Sequence, residues 1–314
     1  MQRRHFIQNT AKGLVAMSIL PNFAGTAAGK RQFKMCLRPG AIGVKVNQQE
    51  MLEFAKKYGF EAIEPYAAEL AAMSEGELAA FQESMKKANI SWGRAGLPVQ
   101  FRAGEQQFRE DLAKLPAAAE ILQKVGVLGM GTWIMPTHKE LTYLQNFKQH
   151  TERLKTTANI LGHYGLKLGL EYVGPKTLMA RDQFAFIRTM REVRELIDAT
   201  GEKNMGVQLD SFHWFCAGET AADLLTLDRE DIVTVDLNDA YAGRTADEQI
   251  DGQRELPTAT GVVDLKAFLG ALVQIGYDGP IRAEPFNKKL NDMENEEAVK
   301  LTAEMMGRAF ALVG

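Results

Sequence analysis

Four acids in this sequence occupy the same kind of position. Glu171 closes the run Leu168-Gly-Leu170, Asp210 closes Val207-Gln-Leu209, Asp236 follows Val233-Thr-Val235, and Glu284 follows Ile281-Arg-Ala283. One acid at the end of an apolar run is ordinarily a cap or half of an ion pair. Four in register are different, because strands that converge on one opening would bring their carboxylates face to face, and such a cluster stays ionised only around a cation. The chemistry this predicts is a divalent metal held by Glu171, Asp210, Asp236 and Glu284. Asp239 is a second candidate should Asp236 point away. His213, three residues after Asp210, falls beside the same opening and is expected to meet ligand hydroxyls. Trp92, Trp133 and Trp214 fall on or near strands, where an indole can wall a flat ligand face. Glu64 and His138 lie at or just past other strand ends, and Lys176 on the rim, as further ligand contacts. His150 and His163 read as packing or surface residues of a helix.

The elements that must position these groups can be read from the alternation of short β-rich runs and helical patterns that begins at Phe33. Strands are expected at 33–37, 62–65, 91–97, 129–135, 167–173, 205–210, 232–237 and 280–284. Helices fall between them, at 48–58, 78–88, 108–125 and 141–163. In the last, Leu141, Leu144, Phe147, Leu154 and Leu161 define an apolar face at helical spacing. Ser74-Glu-Gly-Glu77 has the form of a capping box. Gly59, Gly126, Gly165, Gly201 and Gly276 mark helix ends. Eight such units without a Pro- or Ser-rich linker predict an α/β fold, a single (β/α)8 TIM barrel over 31–314. The stretch 240–260 breaks the rhythm after the seventh strand. A long loop there would lie at the carboxyl end of the strands, where barrel sites are built.

Residues 1–30 have a different character. Arg3-Arg4-His5-Phe6-Ile7, an apolar stretch from Gly13 to Leu20 and small residues at Ala24-Gly-Thr-Ala-Ala28 follow the order of an export signal, and the paired arginines resemble the twin-arginine kind. Export to the periplasm is the expectation, with no membrane segment left in the mature chain. The 314 residues carry a formal charge of −3, which offers no global field for nucleic acid. Cys36 and Cys216 sit far apart among apolar neighbours and read as buried free thiols.

Five segments then resemble a known family. Leu170-Glu-Tyr-Val-Gly-Pro-Lys176, Leu209-Asp-Ser-Phe-His-Trp214, Val235-Asp-Leu-Asn-Asp-Ala240, Asp251-Gly-Gln-Arg-Glu-Leu-Pro257 and Ala283-Glu-Pro-Phe286 are similar, in order, to the xylose-isomerase-like sugar phosphate isomerases and epimerases. The resemblance implies metal ligation by Glu171, Asp210 and Glu284, and substrate contact by His213 and Arg254. It also implies proton abstraction beside a carbonyl of a small carbohydrate through a metal-stabilised enediolate, with Glu171 and Glu284 as base and acid. The sequence departs from the family at Asp236, where a histidine is expected. An all-carboxylate set shifts the preference toward Mn²⁺ or Mg²⁺ and away from Zn²⁺. Isomerisation, epimerisation and elimination from a 3-keto glycoside share one intermediate and stay open. So do an exported sugar-binding protein without chemistry and a homo-oligomeric state. A related apurinic-site endonuclease needs more histidines than the five present.

Overall fold

The computed structural model describes residues 30–314, so the expected export segment lies outside the described residues apart from Lys30. Eleven strands follow in chain order: β1 (Lys34–Leu37), β2 (Ala62–Ile63), β3 (Ser91–Trp92), β4 (Ala95–Gly96), β5 (Gly129–Ile134), β6 (Thr137–His138), β7 (Lys167–Tyr172), β8 (Phe184–Ala185), β9 (Met205–Asp210), β10 (Ile232–Leu237) and β11 (Pro280–Ala283). All except β6 and β8 form one sheet in the order β3-β2-β1-β11-β10-β9-β7-β5-β4, and every pairing within it is parallel. The two ends of that order, β3 and β4, belong to one stretch of chain. Its first half bonds to β2 and its second half to β5, with Gly93 donating to the Ile63 carbonyl and Leu97 to that of Gly131. The sheet therefore closes on itself, and the expected eight-unit barrel is what forms. β6 and β8 make a small antiparallel pair outside it.

Helices Gln48–Tyr58, Glu75–Lys87, Glu105–Lys124 and Tyr143–His163 occupy the predicted intervals. Ser74 and Glu77 close the capping box, and Gly59, Gly201 and Gly276 end helices with positive φ. The apolar face of Tyr143–His163 runs differently at its start. Leu144 is 78% exposed, because Tyr143, four residues before Phe147, stacks on that ring and begins the buried stripe that continues through His150, Leu154, Ala158 and Leu161. Burying each such leucine stabilises the barrel by roughly 1.5–3 kcal/mol. Among the described residues no helix is long and apolar enough to cross a membrane. Cys36 and Cys216 are buried free thiols.

Candidate active site

Parallel closure points every strand's carboxyl end the same way, which decides where the four acids go. Asp210 and Asp236 are Cα partners across β9 and β10, and Glu171 and Glu284 end or follow β7 and β11. One carboxylate oxygen from each of the four lies within 4.8 Å of the others, and all four residues are buried. The side-chain period of a strand places the residue two positions earlier on the same face. Gln208 and Arg282 consequently stand directly beneath Asp210 and Glu284.

Gln208 and Arg282 change what the cluster is. Arg282 Nε donates to Asp236 Oδ1 at 2.6 Å and its Nη2 to Oδ2 at 2.9 Å, and Gln208 Nε2 adds a third bond to Oδ2 at 2.9 Å. Burial opposes the charge on Asp236, and the Arg282 guanidinium overcomes it, holding that carboxyl below the usual range. Asp236 was expected as a metal ligand. It belongs to the group geometrically, but its oxygens are committed to a buried ion pair, and the cation that neutralises it is a side chain. Asp210 is also well partnered. Its Oδ1 accepts from the amides of Phe212 at 2.6 Å and His213 at 3.2 Å, capping the helix Ser211–Ala217, and its Oδ2 accepts from Asn238 at 2.8 Å and Arg254 at 2.9 Å. Burial nonetheless outweighs Arg254 and pushes Asp210 up to about 7.

Glu171 is the exception. Gln208 donates to its Oε2 at 3.1 Å, but its buried Oε1 has no hydrogen-bond partner, and His213 Nε2 stands 3.7 Å away. Burial, then the neighbouring Glu284, Asp236 and Asp210, raise its pKa well above the carboxylate range. Glu284 is bridged by Arg38 and lies 3.6 Å from Arg254 Nη1. A divalent cation fits this donor set through Glu171, Asp210 and Glu284, where an orphaned buried oxygen faces two further carboxylates. Asp236 supports the site from below.

Arg254 arrives from the irregular stretch after β10. Asp239 fixes the base of that loop by accepting from the amides of Ala240, Thr260, Gly261 and Val263, so it is occupied and is no substitute ligand. Arg254 is 2% exposed, sits between the rings of Phe212 and Phe286, and bonds Asp251 at 2.7 Å. Its Nη2 lies 3.2 Å from His213 Nε2, which makes that nitrogen the acceptor and keeps the ring neutral. Burial first and Arg254 second hold the His213 pKa well below its ordinary value.

Above the acids opens a cavity of about 430 Å³ lined by Glu171, His213, Arg254, Glu284 and Trp133, with Arg38, Arg102, Arg181 and Arg282 among the other wall residues. Trp133 is 40% exposed and walls one side as expected. Glu64 reaches the site only through Arg38, at 3.4 Å. Two expected contacts lie elsewhere. His138 is in the β6–β8 pair, where its Nδ1 accepts from the amides of Glu140 and Leu141, and Lys176 is exposed and paired with Asp247 at 2.7 Å. Neither lines the cavity. Trp92 stacks on Phe81 and Trp214 packs against Phe268, so both serve the core. His150 is buried and lowered to about 4 by burial, and His163 is on the surface. Sequence reasoning passed over Arg38, Arg282 and Gln208. The signal for the last two was their place two residues before an acid already chosen.

The xylose isomerase-like TIM barrel family model matches residues 52–309. The chain belongs to that family. An inosose isomerase of Bacillus velezensis is 24% identical over 277 residues, covering 86% of this chain and 95% of its own. One from Halalkalibacterium halodurans is 28% identical over 166 residues, covering 51% of this chain and 55% of its own. A xylose isomerase domain protein from Alicyclobacillus acidocaldarius shares the fold with a TM-score of 0.78 and 27% identity, over 90% of this chain and 99% of its own. The IOLI protein, solved with a bound zinc atom, matches with a TM-score of 0.73 and 22% identity, over 89% and 98%. Family membership and isomerase relatives make this chain an enzyme of the isomerase class.

Proposed function

We propose that the protein moves a proton on a carbon next to the carbonyl of an unphosphorylated polyhydroxy ketone, and so isomerises or epimerises it. The carrying observation is the unequal state of two carboxyls that face the same cavity: Glu171 has an unpartnered oxygen, whereas Glu284 is held between Arg38 and Arg254. Carboxyls partnered so differently suit opposite halves of a proton transfer. Glu284, with Arg38 and Arg254 beside it, takes the proton. Glu171, whose buried Oε1 has no hydrogen-bond partner, returns one. Arg254, whose N–H groups donate to Asp210, Asp251, the Glu284 carbonyl and His213, positions Asp210 and His213 at the cavity wall, and the neutral His213 ring faces the substrate hydroxyls. Return to the opposite face of the same carbon epimerises, and return to the neighbouring carbon, with the hydroxyl proton passing from one enediol oxygen to the other, isomerises. Glu171, Asp210 and Glu284 would hold a divalent cation, Mn²⁺ or Mg²⁺ ahead of Zn²⁺ because the three offer only oxygen, and a bound cation supplies positive charge to an oxygen on which negative charge develops.

The inosose isomerase relatives support a cyclic or open polyhydroxy ketone, and the export-like first residues support a substrate without phosphate, encountered in the periplasm. The test is to incubate the full chain with ketoses and inososes in deuterated water and follow carbon-bound deuterium by NMR. Exchange into at least one substrate is expected, falling by roughly 10²-fold or more in Glu171→Gln and in Glu284→Gln. Tight binding of such a sugar with no exchange would overturn the proposal.

A further inference from the structure

Charged groups around the cavity are almost all matched. Arg254 faces Asp210 and Asp251, Arg282 faces Asp236, Arg38 faces Glu284 and Glu64, and the exposed Arg181 lies 3.8 Å from Asp182. Arg102 is different. Among the described residues no acid lies within ion-pair distance of it, and its hydrogen bonds go to neutral acceptors: the Trp133 carbonyl, Thr132 Oγ1 at 3.2 Å and Gln100 Oε1 at 3.4 Å. Its guanidinium lies 3.9 Å from the centre of the Trp133 ring and 4.6 Å from that of Phe101. Burial lowers its pKa to about 10, with no carboxylate to restore it.

A flexible side chain ordered this thoroughly, in a wall that withholds its counter-ion, is a binding group awaiting an anion. Its position sets the distance from the chemistry. Trp133 and Glu171 are Cα partners across β5 and β7, so the strand whose Trp133 ring carries Arg102 is the immediate neighbour, about 4.8 Å away, of the strand that carries Glu171. Arg102 and Glu171 line one cavity of about 430 Å³. A single unmatched guanidinium offers the paired N–H donors that suit a carboxylate, whereas a phosphate dianion would find only one uncompensated charge.

We propose that Arg102 forms an anion subsite that reads a carboxylate on the substrate, so that the substrate is a keto sugar acid. This rests on the isomerase reading above and narrows it. The test uses calorimetry on the Mn²⁺-loaded chain with D-fructuronate and D-tagaturonate against D-fructose and D-tagatose, alongside D-fructose 6-phosphate, and deuterium exchange on each. The acids are expected to bind at least tenfold more tightly than the neutral sugars. Arg102→Gln should bring the two classes together, and Arg102→Lys should keep part of the gap, with circular dichroism confirming that both variants fold. Equal affinity for acid and neutral sugars, a gap that survives Arg102→Gln, a preference for the phosphate, or no binding by any sugar would each overturn the subsite. Exchange of neutral ketoses without acid preference would sink the subsite and leave the isomerase reading standing. Binding of the acids through Arg102 without any exchange would do the reverse.

Discussion

Asp236 and Arg282 face each other at 0% and 2% exposure, with two hydrogen bonds between them. The family pattern that the sequence resembles has a histidine at this position, so Asp236→His is the obvious way to restore a nitrogen ligand. It should fail. Removing one partner of a buried ion pair strands the other, a loss of about 3–5 kcal/mol, and here the stranded group is a guanidinium beneath the proposed cation site. Urea denaturation is expected to show that loss for Asp236→His and for Arg282→Met alone. The double variant should recover a large part of it, and additive losses in the double variant would mean that the pair is not a unit. The acids themselves were legible in the sequence because each ends an apolar run. The arginine was not, because a charged residue inside a β-rich run reads as solvent-facing until the barrel closes and turns that face inward. For Lys176 and His138 the error was the opposite: nearness to a strand end in sequence does not fix which way a loop carries its side chains.

Strands in this barrel work in pairs of inward positions, and glycine at some of them makes room for long side chains at others. A Cβ at Gly131 would overlap Gln208 Oε1, on the amide whose nitrogen bonds both Glu171 and Asp236. Gly131→Ala is therefore expected to displace that amide. The stability loss should be moderate, about 1–3 kcal/mol, because the displaced atom is the end of a side chain. Turnover should fall more than tenfold, because Glu171 loses the donor that fixes its carboxyl plane. Wild-type kcat in Gly131→Ala, measured on the substrate found by deuterium exchange, would show that Gln208 has no positioning role. The eight units and the loop at 240–260 could be read from period and punctuation, which local sequence controls. The division of the third strand into halves that bond different neighbours could not, since it depends on how the sheet curls shut. Leu144 shows the same limit within a helix: a one-position choice between Tyr143 and Leu144 is settled by which ring finds Phe147.

At the scale of the whole molecule, the acid cluster ties folding to pH and, on the proposed reading, to metal. Without a cation, burial raises Asp210 to about 7 and Glu171 well above the carboxylate range, so the folded chain holds these protons more tightly than the unfolded chain does. A raised carboxyl pKa contributes stability at low pH that is lost as pH climbs from the unfolded value, about 4, through the folded one. A divalent cation needs the same oxygens deprotonated, so it competes with protons and its stabilising effect must grow over that window. The Tm difference between Mn²⁺-loaded and EDTA-treated protein is accordingly expected to be larger at about pH 8 than at about pH 5. Titration with Mn²⁺ near pH 6, in two buffers of different ionisation enthalpy, should reveal proton release on binding. Glu171→Gln should weaken the ion and shrink the proton release together, since it removes a ligand and a titrating group at once. A metal-induced Tm shift that is the same at both pH values, with no protons released, would mean that the ion binds somewhere other than among Glu171, Asp210 and Glu284.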